Sequence, residues 1–471
     1  MHMHMHMHTL LPRARARADP DVRGGRMESD DPFDVFDEPP VPSRTDDPFD
    51  IFDAPPAEEG GAAAKRARPS PIQPLVRHFI ARHAPTAVRD LRAAGDIGLA
   101  SNLEAAAGHM AAEPPALEAC RIAAELAAAA AWTTVSGAGE GTKSLSREAY
   151  VLAQALLCGV RAALDGDAAG ALSSLDRAFI LGGQTELFRD CVELLDDGSP
   201  GGVEAPAATS PPRPPPPPPP SAVPSDGCAP VERMPLPSSA EAFRALHARA
   251  RPVVLTGVTD GWPAMQKWAD LSWLRRQHGG RLVPVELGSL NGGEETTWGE
   301  RIMPLSDFID RHLASDANEH VPIGYLAQHP LFEQIPRLKR DFDVPHVCAA
   351  SGGGVRHVNA WLGPAGTVTP LHFDSYDNIL TQAVGYKRVR LYEASQTRWL
   401  YPKAAGGGGV DAQGNVSAVD VEAPDHGRFP DFAHATALEA LIGPGDGLFI
   451  PAGCWHHVRS LSTAFSVSFW F

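Results

Sequence analysis

The sequence predicts an α+β protein in which a disordered N-terminus and a small α-helical domain precede a C-terminal double-stranded β-helix, or jelly roll. Residues 72–198 carry apolar side chains at helical spacing. Residues 227–471 instead contain short β-branched and aromatic runs separated by turn residues. Many short strands with turns between them are typical of a sandwich or barrel. A proline-rich linker, residues 199–226, separates the two regions.

Length and composition limit the class of protein. The 471 residues exceed the usual size of one domain, so two folded units with linkers are expected. A formal net charge of −16 argues against direct nucleic-acid binding. No apolar run of about 18 residues is present, and the start lacks the apolar core of a signal peptide, so no membrane association is expected. Six cysteines without zinc-type spacing favour a reduced, intracellular protein of the nucleus or cytoplasm.

Residues 1–71 are rich in proline, glycine and charge, and are expected to be disordered. They contain a duplicated motif, DDPFDVFD at 30–37 and DDPFDIFD at 46–53. Paired aromatics on an acidic chain favour binding in a partner's groove, and the motif is similar to the DPF-type peptides that bind endocytic adaptors. A tandem duplication without a partner is the alternative. The basic cluster at 65–68 is compatible with nuclear import.

Residues 72–198 are expected to form helices. Residues 72–92 carry Leu75, Phe79 and Ile80 at helical spacing, and residues 106–131 are rich in alanine and leucine. Two amphipathic segments, 150–164 and 168–181, suggest a helical hairpin. The segment shows neither a clean repeat nor a catalytic constellation, so a role in partner binding or in stabilising the neighbouring domain is expected.

The linker contains seven consecutive prolines at 214–220. Such a run forms a semi-rigid polyproline II spacer. Binding of an SH3 or WW module is the alternative interpretation.

The segment TPLHFD at 369–374 brings a histidine and an aspartate into proximity. If it is a strand, His372 and Asp374 share one face. A second imidazole would come from PAGCWHHV at 451–458. Two imidazoles and one carboxylate, with three positions left open, form the facial triad of non-haem Fe(II) oxygenases. His456 and His457 must face opposite sides of a strand, and periodicity alone leaves open which one is the third ligand.

Several segments, in order, resemble the JmjC family of cupin-like, 2-oxoglutarate-dependent oxygenases over residues 228–471. They are GYLAQH at 324–329, NAW at 359–361, TPLHFD at 369–374, GYKRVRLY at 385–392, and the end of the chain from WH at 455–456 to SVSFW at 466–470. The sequence departs from this family at Phe373, where the family carries a polar residue, and in the glycine loop at 404–409.

The resemblance assigns roles to individual residues. It implies that the metal is held by the catalytic residues His372, Asp374 and His456. It implies that Lys387 binds the distal carboxylate of 2-oxoglutarate. The other residues that it assigns to the co-substrate are Tyr325, Thr369 and Asn378, and those that it assigns to the substrate are Glu286, Trp361 and Trp470.

The same resemblance implies a protein hydroxylase that uses Fe(II), 2-oxoglutarate and O2. An acid beside aromatic faces suits a guanidinium, so hydroxylation of arginine in a protein or peptide is favoured. A histone lysine demethylase is one alternative, although no Cys/His cluster of a chromatin-reading finger accompanies the domain. A non-catalytic cupin-like scaffold is the other, and the complete ligand set argues against it.

Overall fold

The computed structural model describes residues 70–136, 140–164, 166–196, 225, 227–288, 299–313, 322–403 and 414–471. These residues belong to one unit of the chain. The duplicated motif, the basic cluster at 65–68, the seven prolines and the glycine loop at 404–409 lie outside them.

The first part of the described chain is helical. Its helices are α1 (Ile72–Ala93), α2 (Ile97–Ala111), α3 (Leu117–Ser136), α4 (Glu140–Leu164), α5 (Ala168–Gly182) and α6 (Glu186–Asp196). Asp96 and Asp167 cap α2 and α5, because each side chain accepts a hydrogen bond from a backbone N–H of the first turn. The buried faces of these helices pack on one another through small and aliphatic side chains such as Val76, Leu103 and Leu156.

The alanine- and leucine-rich stretch at 106–131 is not one continuous helix. Helix α2 ends at Ala111, and α3 begins at Leu117. Pro114 and Pro115 lie between them, and a proline has no backbone N–H to donate within a helix. The prolines therefore divide the stretch into two packed helices.

The second part of the described chain is mainly strands. They are β1 (Ala229–Pro230), β2 (Arg233–Pro235), β3 (Val253–Thr256), β4 (Leu282–Leu287), β5 (Gly299–Pro304), β6 (Gly324–His329), β7 (His357–Gly363), β8 (Val368–His372), β9 (Asn378–Val384), β10 (Lys387–Tyr392), β11 (Leu438–Ile442), β12 (Asp446–Ile450), β13 (Trp455–Ser460) and β14 (Ala464–Trp470). Short helices lie between them: α7 (Ala240–His247), α8 (Ala264–Lys267), α9 (Leu271–His278), α10 (Leu305–Phe308) and α11 (Leu331–Gln334).

The strands form two facing sheets. The smaller sheet has five strands in the order β1-β11-β10-β13-β8, and the larger has nine in the order β2-β3-β12-β9-β14-β7-β6-β4-β5. Most neighbours are antiparallel, and apolar side chains from both sheets, such as Val389, Val458 and Leu448, share one buried cluster. This arrangement, with helices before it, confirms the predicted α+β jelly roll.

A tight turn fixes how β9 leads into β10. Gly385 has a φ of +74°, a left-handed conformation that L side chains rarely adopt. A Cβ atom at this position would lie 2.0 Å from the carbonyl oxygen of Thr463. The glycine therefore lets β10 start immediately with Lys387 directed between the two sheets, where it is 1% exposed.

None of the helices in the described parts of the chain is both long and apolar enough to cross a membrane. All six cysteines are free thiols, and five of them are buried.

Candidate metal centre

Strands β8 and β13 bring three metal-ligating side chains together at one end of the smaller sheet. His372 ends β8 and lies directly opposite His456, the second residue of β13. The Nε2 atoms of His372 and His456 lie 3.7 Å from Oδ1 and Oδ2 of Asp374, respectively. The three ligand atoms all lie within 4.8 Å of one another. Ligand atoms that are each about 2.1 Å from one ion lie about 3 to 4 Å apart, so the three side chains fit a single cation.

Both imidazoles are oriented by backbone carbonyls. His372 Nδ1 lies 2.8 Å from the carbonyl oxygen of Pro370, and His456 Nδ1 lies 3.0 Å from that of Cys454. A carbonyl can only accept, so each Nδ1 carries the proton and each Nε2 presents a lone pair to the centre. This is the tautomer that a divalent metal requires.

The charge state of the centre follows from its burial. Burial raises the pKa of Asp374, although the nearby His372 opposes that shift. Burial, with a contribution from His372, lowers the pKa of His456 well below its ordinary value. The free centre therefore disfavours isolated charges, and a bound cation would compensate the carboxylate.

The spacing predicts that Asp374 lies on the same strand as His372. In the structure, Asp374 instead reaches the centre from a loop. Strand β8 ends at His372, which forms an isolated bridge with Val416, and Asp374 lies in the loop that follows. The backbone N–H of Gly453 donates to the Asp374 carbonyl at 2.8 Å and holds this loop against the start of β13. Phe373 turns away and packs edge-on against Trp455, with ring centroids 4.9 Å apart.

His457 faces the opposite side of β13 from His456. It lines a cavity of about 210 Å³ with Arg388, Arg390, Glu422, Glu439 and Arg459. Its Nε2 lies 3.9 Å from Glu422 Oε1. The cross-strand register, which the sequence does not contain, thus places His456 and not His457 beside His372 and Asp374.

A buried cation lies between the two sheets. The Lys387 ammonium donates to the Tyr325 hydroxyl at 3.1 Å and lies 6.0 Å from the Trp361 ring centroid. Within the described residues, it has no carboxylate at ion-pair distance, and burial lowers its pKa to about 7. Tyr325 is also hydrogen-bonded to Thr369, and burial raises the pKa of its phenol. A buried amine among hydroxyl groups is a fitting site for a ligand carboxylate.

Asn378 begins β9 and is buried next to the metal-ligand loop. Its Oδ1 has no hydrogen-bond partner within the described residues. A buried amide oxygen without a partner is a candidate for contact with a bound ligand or water. The structure therefore gives Asn378 unused hydrogen-bonding capacity.

Two of the predicted substrate residues are neighbours of Tyr325. Glu286 is directly opposite Tyr325 in the β4–β6 ladder, and burial raises its pKa to about 7. Trp361 packs against Tyr325 with ring centroids 6.1 Å apart and donates from Nε1 to Ser468 Oγ at 2.9 Å. An acid and an indole face thus flank the same phenol.

The third predicted substrate residue belongs to another aromatic group. Trp470 stacks on Tyr376 with centroids 5.9 Å apart, and His357 lies edge-on to both rings. The Trp470 Nε1 is buried and has no partner within the described residues. Sequence reasoning missed Tyr376, although its position two residues after Asp374 was a usable signal.

Known proteins resemble this region. A family model described as a cupin-like domain matches residues 239–471. Lysine-specific demethylase 8 of Xenopus tropicalis is 45% identical over 222 residues, which cover 47% of this chain and 48% of that protein. Lysine-specific demethylase JMJ30 of Arabidopsis thaliana is 40% identical over 219 residues, covering 46% of this chain and 49% of that protein.

The name of a less similar relative states a different activity. The bifunctional peptidase and (3S)-lysyl hydroxylase JMJD7 of Homo sapiens is 29% identical over 248 residues, covering 47% of this chain and 77% of that protein. The chain spans about half the length of the demethylase 8 and JMJ30 proteins that it matches. Residues 239–471 therefore form a cupin-like domain of the JmjC type, related to lysine-specific demethylase 8 and to the 2-oxoglutarate-dependent dioxygenases.

Proposed function

We propose that the chain is an Fe(II)- and 2-oxoglutarate-dependent protein hydroxylase that acts on arginine side chains. The observation that carries the proposal is the pairing of two features within the same jelly roll, on strands that include the neighbours β10 and β13. One is the cluster of His372, Asp374 and His456, and the other is the buried, uncompensated Lys387. A metal cluster without such a cation would fit many other chemistries.

In this proposal, each residue has a defined task. His372, Asp374 and His456 hold Fe(II) and leave positions for ligands. Lys387 pairs with the distal carboxylate of 2-oxoglutarate, and Tyr325, Thr369 and Asn378 supply hydrogen bonds. When bound, iron supplies the oxidising chemistry by which 2-oxoglutarate and O2 become succinate and CO2 while a substrate C–H becomes C–OH.

The preference for arginine is supported by Glu286. Glu286 lies opposite Tyr325 in the β4–β6 ladder, and the Tyr325 ring in turn packs against Trp361. A guanidinium can pair with a carboxylate in bidentate fashion while its planar face stacks on an indole. The aromatic group of Trp470 and Tyr376 offers a further surface for the peptide.

The test is mass spectrometry of arginine peptides and methyl-lysine peptides incubated with the protein, Fe(II), ascorbate and 2-oxoglutarate. We expect a gain of one oxygen on arginine, and none with the His456→Ala variant. Loss of a methyl group from lysine, without oxygen on arginine, would contradict the arginine assignment.

Demethylation is the second candidate, because two relatives named above are called lysine-specific demethylases. The same oxidation on an N-methyl carbon yields an unstable product that loses formaldehyde. The methyl-lysine arm of the peptide experiment separates the two outcomes within one protein preparation.

We also propose that the duplicated motif of the N-terminal region binds a protein partner. We place the protein in the nucleus or cytoplasm. The support for both is the sequence alone: the acidic aromatic repeats, the basic cluster at 65–68 and the cysteine spacing.

A further inference from the structure

The helical domain contacts the C-terminal domain through a buried ion pair. Asp176 in α5 is 0% exposed, and Arg281, the residue before β4, is 3% exposed. Arg281 donates from Nη2 to Asp176 Oδ1 at 2.6 Å and from Nε to Oδ2 at 2.9 Å. Its Nη2 also donates to the Gln334 carbonyl at 2.6 Å. Bidentate pairs of this kind fix geometry as well as charge.

Asp176 and Gln334 also hold the backbone of Leu282, the first residue of β4. The Leu282 N–H donates to Asp176 Oδ2 at 3.0 Å, and its carbonyl accepts from Gln334 Nε2 at 2.7 Å. The Gln334 side chain is hydrogen-bonded to His329, the last residue of β6. Phe179 of α5 packs edge-on against the same His329, with centroids 6.0 Å apart. Helix α5 therefore contacts one end of both strands.

The other end of this strand pair carries the proposed pocket residues. The β4–β6 ladder pairs only Glu286 with Tyr325 and Leu287 with Gly324. At the Leu282 end, the two strands are joined instead through α5 and α11. Strand β5 pairs with β4 along its whole length but is the edge of the sheet, so it would move with β4.

We propose that Asp176 is a positioning residue of the active site. Through Arg281 and Leu282, the helical domain would set where β4 and β6 present Glu286 and Tyr325 to the pocket. This inference rests on the proposed function, because it treats these two residues as substrate and co-substrate contacts. The helical domain is then a working part of the enzyme and not a separate binding module.

The test compares Asp176→Ala with Leu103→Ala in the full chain. Leu103 is fully buried in α2, which packs against α1, α3 and α4. Its truncation destabilises the helical domain without touching the ion pair, so it is a matched control. Because Asp176→Ala leaves Arg281 buried without this partner, the variant Asp176→Leu/Arg281→Met provides a second form with an apolar interface.

Two readouts are made on each protein. Hydrogen exchange of residues 282–287 and 324–329 reports the strands themselves and needs no metal. Calorimetry of 2-oxoglutarate binding to the Mn(II)-loaded protein reports the pocket. Both Asp176 variants should exchange faster in these strands and bind 2-oxoglutarate about fivefold to tenfold more weakly, or about 1 to 1.4 kcal/mol. Leu103→Ala should match the wild type in both readouts.

The outcomes separate the inference from the proposed function. Strand exchange and 2-oxoglutarate affinity in the Asp176 variants equal to those of Leu103→Ala would overturn the inference. Faster strand exchange in the Asp176 variants, with no 2-oxoglutarate binding even by the wild type, would support the coupling of α5 to the strands but overturn the proposed function.

Discussion

Lys387 is the residue on which the co-substrate assignment depends. It is 1% exposed, and its ammonium has a phenol at 3.1 Å where a carboxylate would be expected. A buried ammonium without a counter-charge costs free energy, and this cost is reduced when a ligand carboxylate arrives. The sequence could suggest this role only through a family resemblance, because a hairpin lysine is ordinarily exposed.

Replacing Lys387 with methionine should weaken 2-oxoglutarate binding by about 2 to 5 kcal/mol, the usual cost of removing one partner of a buried charge pair. Calorimetry with Mn(II)-loaded protein measures the loss. Arg388→Met is the matched control, since Arg388 is the next residue of β10 and pairs with Glu439 on the opposite face. Equal 2-oxoglutarate affinities for Lys387→Met and wild type would contradict the assignment of Lys387 to the co-substrate site.

The pH dependence of 2-oxoglutarate binding follows from the same residue. Burial lowers the pKa of Lys387 to about 7 in the free protein. Below pH 7 the amine is already charged, whereas above pH 7 it must take up a proton to pair with a carboxylate. Affinity should therefore fall by up to about tenfold per pH unit above pH 7. A slope that persists in Lys387→Met would have to come from another group.

The raised pKa of Glu286 predicts that peptide binding depends on pH in the opposite direction to 2-oxoglutarate binding. Burial raises its pKa to about 7, so the carboxylate that would pair with a guanidinium predominates only above pH 7. The KM for an arginine peptide should fall as the pH rises through 7, and Glu286→Gln should raise the KM and flatten this dependence. Measuring KM from pH 6 to 8.5 checks both points, and a wild-type profile as flat as that of Glu286→Gln would contradict the role.

At the scale of elements, strand alternation separates two adjacent histidines. His456 lies opposite His372 across the β8–β13 ladder, whereas His457 faces the cavity beside Glu422. Local periodicity predicts that they face opposite sides, but only the pairing of strands distant in sequence decides which of them lies beside His372 and Asp374. The choice of His456 in the sequence analysis therefore needed the resemblance.

The two histidines form a matched pair of variants. Mn(II) should raise the melting temperature of the wild type and of His457→Ala, because a ligand that binds the native state stabilises it by mass action. It should have no effect on His456→Ala. Scanning fluorimetry with increasing Mn(II) measures these shifts. If Mn(II) stabilised His456→Ala but not His457→Ala, the metal ligand would be His457 and not His456.

The end of β8 shows what local patterns cannot predict. The spacing of His372 and Asp374 suggested one continuous strand, yet β8 ends at His372. The chain beyond it bonds to a distant segment, since the Phe373 N–H donates to the Asn415 carbonyl. The two ligands still converge because Gly453 anchors the loop that carries Asp374. The sequence thus predicted that these side chains come together, but it did not predict the path of the backbone between them.

At the scale of the whole molecule, the fold class was predictable because apolar residues follow a different spacing in each half of the sequence. Helical spacing and short strand runs are local signals, and they give the right order of a helical domain and a jelly roll. The contact between the two halves, in contrast, could not be predicted from local signals. Asp176 and Arg281 lie 105 residues apart, and nothing near either residue marks the other as its partner.

The most direct test of the central claim is the isotopic mass of succinate formed under ¹⁸O2. A 2-oxoglutarate-dependent dioxygenase transfers one atom of O2 to succinate and the other to its substrate. With Fe(II), 2-oxoglutarate and an arginine peptide, the wild type should produce succinate carrying one ¹⁸O, and His456→Ala should produce none. Folded, Fe(II)-loaded wild-type protein that releases no ¹⁸O-labelled succinate would contradict the account.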